Sequence, residues 1–153
     1  SERYFTSFNT QIPIFNKVKV IQDGNTSDPS FRIYSSTIII TRLENITLLQ
    51  AEALAVIGQQ QKAIDLLNTI RDLRKIKRYD VNVEGDLIDA IFRERRKELM
   101  GEGWRWFDLV RYNKIKQNDP AFMTLINSGG IYWPVADEVM TQNPLITQNP
   151  YWQ

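Results

Sequence analysis

The densest concentration of reactive side chains lies between Phe92 and Arg111, in the stretch FRERRKELMGEGWRWFDLVR. Glu94, Glu98 and Glu102 are spaced by four residues, so a helix would carry them on one face. Two carboxylates brought together are the equipment of glycoside hydrolysis, one acting as acid and the other as base or nucleophile. Their neighbours point elsewhere. Arg95, Arg96, Arg105 and Arg111 interleave with the acids, and Asp108 joins them. An adjacent guanidinium favours the ionised carboxylate, which is the wrong direction for a general acid. The segment therefore reads as an ion-pair scaffold made of Arg95, Glu98, Glu102, Arg105, Asp108 and Arg111, with no catalytic residue. Arg95 falls beside the apolar stripe of its own helix, and a charge placed there demands a buried partner.

Other chemistry is narrowed by what the chain lacks. With no histidine and no cysteine, it has neither the usual general base at neutral pH nor the commonest metal ligands. No metal or cofactor is expected. Basic residues cluster at Arg71, Arg74, Lys75, Lys77 and Arg78, and again from Arg93 to Lys97. At a net charge of +1, without a docking motif, these read as solvated helix ends favoured by the helix dipole, and nucleic acid is not expected as a partner. The glycines at 101 and 103 follow no strand and precede no Lys-Ser/Thr pair, so they do not form a phosphate loop. Aromatic residues make up 11% of the chain. Trp106 and Phe107 fit a core, whereas Trp104, Tyr132 and Trp133 fall in breaks or in the tail. There they are the candidate ligand-stacking residues. Tyr151 and Trp152 fit better as pins holding the tail.

The elements that must position these residues are mostly helical. Ile46, Leu49, Ala53 and Val56 recur at helical spacing and predict a helix over 42–58 with that stripe buried and Gly58 as its stop. A second helix, from about 60 to 74, presents Ala63, Leu66, Leu67, Ile70 and Leu73. The short link predicts an antiparallel hairpin over 42–74. Ala51, Gly58, Ala63 and Leu67 sit at the small, turn, small and large positions of a tetratricopeptide repeat, a unit that is not stable alone. A helix pair spans 86–117, the first helix using Leu87, Ile88, Ile91, Phe92 and Leu99, and the second Trp106, Phe107 and Val110. Residues 1–40 read as an irregular or strand lead-in, with Ile12, Ile14, Val18 and Val20 alternating with polar residues. Residues 118–153 read as an irregular tail carrying two copies of Thr-Gln-Asn-Pro, at 141–144 and 147–150. The fold class is thus mainly α: a tetratricopeptide-like hairpin plus further helices, with short strands and long irregular segments.

Four blocks resemble, in order, the carboxy-terminal region of the SusD/RagB family: RLENITLLQAEAL (Arg42 to Leu54), AIDLLNTIRDLR (Ala63 to Arg74), ERRKELMGEGWRWFDLVRYNK (Glu94 to Lys114) and the tail from Tyr132 to Trp152. The third block is the most specific, and the likeness covers about residues 31–153. Asn45 departs from the family's usual residue at its position. The resemblance implies a SusD-like fold and a non-enzymatic lipoprotein on the extracellular face of a Gram-negative outer membrane. Such a protein binds an oligosaccharide or a peptide and works with a TonB-dependent, SusC-like transporter. Because the family's members are much longer, the 153 residues would be the final, mostly scaffolding domain of a longer protein. Any lipid anchor would lie outside this chain. The alternatives are a tetratricopeptide-type protein-interaction scaffold and, in a different class, a carboxylate glycosidase.

The bulk properties fit a folded domain: 42% of residues are hydrophobic and 24% charged, which is not the composition of a disordered chain. No run approaches the ~20 apolar residues of a membrane helix. The start, Ser1-Glu2-Arg3-Tyr4, carries neither an initiator Met nor a signal peptide, so a processed or excised product is expected.

Overall fold

The computed structural model describes residues 40–153 and, ahead of them, four two-residue strands. The chain divides into two compact units, Ser1–Arg42 and Leu43–Gln153. In the first, β1 (Phe5–Thr6) pairs antiparallel with β2 (Ile14–Phe15), with Phe5 opposite Phe15. β3 (Gln22–Asp23) pairs antiparallel with β4 (Arg32–Ile33), with Gln22 opposite Ile33. Of the alternating residues at 12–20, Ile14 falls in β2; Ile12, Val18 and Val20 lie outside the described residues.

The second unit is helical. α1 (Leu43–Val56) and α2 (Gln60–Leu73) form an antiparallel hairpin. Gly58 turns the chain between them at φ +82°, a left-handed conformation that costs a side-chain-bearing residue energy. A short α3 (Val81–Glu84) leads into α4 (Leu87–Glu98), and each is capped by an aspartate. Asp80 accepts from the Asn82 N–H and Asp86 from the Asp89 N–H, so each satisfies a donor that the helix start leaves free. α5 (Arg105–Lys116) follows the break at 99–104. The core is a single cluster of Leu48, Ala51, Ala55, Ala63, Leu67, Ile70, Leu87, Ala90 and Ile91, drawn from α1, α2 and α4. The alanines, all at most 3% exposed, let the helix backbones approach, and Leu67 fills the space beside them.

Three expectations are corrected. The buried face of α1 is Asn45, Leu48, Ala51, Glu52 and Ala55. Ile46, Leu49, Ala53 and Val56, the predicted stripe, lie on the exposed side, with Val56 at 51% exposure. The helix buries two polar residues because charged partners wait for them, and that rotates its apolar residues outward. In α2, likewise, Leu73 is exposed and Arg71 is buried in the last turn. In α5, Phe107 is exposed, while Asp108 and Asn113 are the buried residues.

The stretch 118–153 is also more ordered than an irregular tail. α6 (Pro120–Asn127) starts with Asp119 accepting from the Phe122 N–H and with proline in its first turn, where no N–H is needed. α7 (Asp137–Gln142) and a final 3₁₀ turn (Pro150–Trp152) follow. The two Thr-Gln-Asn-Pro copies adopt different structures. Thr141 and Gln142 close α7. In the second copy, Gln148 pairs through its amide with both backbone groups of Val135, accepting at 2.8 Å and donating at 2.9 Å. Trp152 Nε1 donates to the Tyr132 carbonyl at 2.8 Å. Tyr151 lies against Gly130 so closely that a Cβ there would sit 2.8 Å from the ring, which only glycine avoids.

Leu67 and Leu73 provide a direct check on the buried face. Leu67→Ala should lower the unfolding free energy by about 2–5 kcal/mol, whereas Leu73→Ala should change it by less than about 0.5 kcal/mol. Equal losses in chemical denaturation would contradict the observed orientation of α2.

Candidate functional site

The charged segment folds into a network that runs through the protein. Along α4 one stripe changes character: Leu87, Ala90 and Ile91 enter the apolar core, and one to two turns later Glu94, Arg95 and Glu98 are buried on the same side. Arg95 is 1% exposed. Its Nε and Nη2 donate to the Asp108 carboxylate at 2.9–3.2 Å, and its Nη1 and Nη2 donate to the carbonyl and side-chain oxygens of Asn45 at 3.1 and 3.0 Å. Arg111 grips Glu52 with two bonds, at 2.7 and 3.1 Å, and also donates to Asp108 at 2.6 Å. Glu52 approaches Arg95 to 3.9 Å. Two guanidiniums and two carboxylates thus form a neutral cluster joining α1, α4 and α5. Pairing of this kind is what makes a buried charge tolerable.

A second cluster lies at the end of α2. Arg71 pairs with Glu94 at 3.0 Å and with Glu84 through two bonds. Arg74 pairs with Glu98 and Glu44, each at 2.7 Å. Since Arg71 meets Glu94 and Arg74 meets Glu98, the pairs step in the same direction along α2 and α4. The Arg71 hydrogen bond, against the opposing cost of partial burial, holds the Glu84 carboxyl below its ordinary value of 4.5.

Of the six residues expected in one scaffold, Arg95, Asp108 and Arg111 come together. Glu98 belongs to the second cluster, on Arg74. Arg105 is exposed, and among the described residues it forms no ion pair. Glu102 is half-buried in the break before α5, with its backbone N–H bonded to the Leu99 carbonyl. Sequence reasoning missed Asn45, Glu52 and Glu84, and it read Arg71 and Arg74 as a solvated helix end, whereas Arg71 is buried and Arg74 half-buried in ion pairs. A signal was present: Asn45 and Glu52 stand seven apart and share a stripe with Leu48 and Ala55, so a polar pair lay in phase with small and apolar residues.

The aromatic candidates separate as well. Trp104 is half-buried against Phe107, with ring centroids 6.0 Å apart, and its Nε1 is buried without a hydrogen-bond partner. Tyr132 and Trp133 are 62% and 82% exposed. Trp106, expected in the core, is half-buried against Phe122 at 5.8 Å. No three acidic residues gather into a metal-holding group among the described residues.

The segments that carry these clusters fall within a match to the SusD family model that extends over residues 5–130. The chain belongs to the SusD family. It is 37% identical over 130 residues to SusD-like protein P38 of Formosa agariphila, an alignment covering 78% of this chain and 25% of that protein. A crystal structure of a SusD superfamily protein from Bacteroides thetaiotaomicron is similar at 44% identity and a TM-score of 0.82, covering 98% of this chain and 32% of that one. A SusD homolog from the same organism is similar at 35% identity and a TM-score of 0.66, covering 80% and 28%. The mainly helical fold expected from the sequence is thus the SusD superfamily's. The chain spans about a quarter to a third of the length of these relatives.

Two outcomes test the clusters. Arg95→Ala should cost about 3–5 kcal/mol, because it leaves the buried acids Asp108 and Glu52 to share the single guanidinium of Arg111; an unchanged melting temperature would refute the pairing. Glu84 binds a proton less readily folded than unfolded. Its contribution should therefore be complete well above pH 4.5 and be lost as acidification carries it through its lowered folded value. Glu84→Gln should flatten stability against pH in that acid window, as followed by urea melts.

Proposed function

We propose that this chain is the scaffolding domain of a non-enzymatic nutrient-binding protein on the outer face of the outer membrane. The whole protein captures an oligosaccharide and passes it to a SusC-like, TonB-dependent transporter, and it is held to the membrane by a lipid anchor. Family membership supports this reading. The single observation that carries the scaffolding role is the use of the signature segment: Glu94, Glu98, Asp108 and Arg111, residue types that equip active sites, direct their polar atoms at one another and at α1 and α2. Carboxylates whose lone pairs accept from arginine hold helices together and are not available to a substrate. In the same reading the α1–α2 hairpin is tetratricopeptide-like, and Tyr132 and Trp133 are the aromatic residues best placed to stack on a sugar.

A second reading, a repeat-type protein-interaction scaffold, has one observation in its favour. The outer side of α1 exposes Ile46 at 49%, Leu49 at 39% and Val56 at 51%, an apolar face suited to a packed partner. A peptide in place of a glycan would be compatible with either reading.

The parent protein should bind oligosaccharides in calorimetry and co-purify with a SusC-like transporter. It should show no glycan turnover, and Glu98→Gln should leave that absence unchanged. The 153-residue chain alone should bind neutral oligosaccharides weakly or not at all. Retention of a partner other than a transporter, with no glycan bound, would favour the interaction scaffold; measurable hydrolysis lost in Glu98→Gln would favour an enzyme.

A further inference from the structure

Arg71, Arg74, Arg93, Arg95 and Arg111 each lie within ion-pair distance of a carboxylate. Arg96 and Arg105 are different: both are exposed, and among the described residues neither has an ion pair or hydrogen bond through its side chain. Both line a groove of about 290 Å³ between α4 and α5. That is close to the lower end of the volumes that hold a small organic ligand. The groove is lined by Phe92, Leu109 and Tyr112, and the two aromatic rings meet edge to face with centroids 5.1 Å apart.

Among the described lining residues the acid is Asp89, and it is already engaged. Its carboxylate accepts from the Tyr112 hydroxyl at 3.0 Å and pairs at 3.2 Å with Lys116, which it shares with Asp86. Arg93 also reaches the groove, but it donates to the Glu84 carbonyl at 2.9 Å. Arg105 carries a further oddity. It is the first residue of α5, where the positive end of the helix dipole disfavours a cation. An unpaired arginine at that place lowers stability unless an anion sits beside it.

We propose that this groove binds the carboxylate of an acidic sugar ring, a hexuronate, with Arg96 and Arg105 holding the carboxylate and the aromatic wall taking the ring. Guanidinium groups grip carboxylates through paired, charge-assisted bonds. Aromatic side chains supply the apolar surface against which a sugar ring packs. The choice of a sugar over another ring rests on the nutrient-binding reading; the anion site stands on the groove itself.

The test is a titration of the 153-residue chain with glucuronate, followed by amide chemical shifts. Saturable binding should appear, with a Kd on the order of millimolar, and with shifts concentrated at residues 92–96, 105–109 and 112. Glucose at the same concentration should leave those shifts unmoved. Acetate and sulfate, anions without a ring, should bind at least about tenfold more weakly. The double variant Arg96→Gln with Arg105→Gln should lose at least about tenfold in affinity while its melting temperature does not fall. Shifts located elsewhere, equal binding of glucose, or undiminished affinity in the double variant would each overturn the site. Sulfate binding as tightly as glucuronate would overturn the sugar and leave a bare anion site. Failure of the parent protein to bind any glycan would not alter this result, so the two readings fail separately.

Discussion

The fold depends on a guanidinium that has almost no contact with water. Arg95 sits where α1, α4 and α5 converge, and it is held by an acid from α5 and by both oxygens of Asn45 on α1. Hydrophobic contact could set these helices at a range of angles and registers; a buried charge tolerates few. Each of its donors must face an acceptor, because a lone ion in that position would cost several kcal/mol. Asp108, shared with Arg111, then draws Glu52 into the same cluster. The alanine-rich core lets α1 and α2 approach closely, and the charges determine which faces meet.

Those charges also explain which parts of the structure could be read from the sequence. The helices, the break around Gly101–Gly103 and the demand of Arg95 for a buried partner were all legible, since each depends on local spacing or on the cost of an isolated charge. The rotation of α1 was not. Periodicity assigns the core to the most hydrophobic stripe, yet this helix buries Asn45 and Glu52 because acceptors were needed there. Asn45 supplies two of the acceptors of Arg95, its backbone carbonyl and its side-chain oxygen. The partners of Glu98 and Glu94 lie on α2, more than twenty residues away, and no spacing rule within the segment could have located them. The order of the tail was hidden for a related reason: Gln148 and Trp152 bond to backbone atoms of residues 132–135, and backbone acceptors carry no signature in a sequence.

The two charge clusters divide the labour. The one at Arg95 is neutral and closed, and it fixes α5 to the hairpin. The one at Arg71 and Arg74 draws in the helix ends, including Glu44 at the start of α1 and Glu84 at the end of α3. Arg96 and Arg105 stand outside both clusters. In a protein that neutralises its buried charges so thoroughly, two unbalanced cations beside an aromatic groove mark the surface where an external anion has something to gain.

The network also has a consequence in time. Glu52 finds its bidentate partner 59 residues further along the chain, and Asn45 its partner 50 residues further. A ribosome adding 5–20 residues per second leaves Glu52 waiting about 3–12 s before Arg111 exists. Until then the first hairpin displays an acid on the side that must later be buried, and water is the better host for it. The nascent chain therefore has reason to stay loose until α5 has been made.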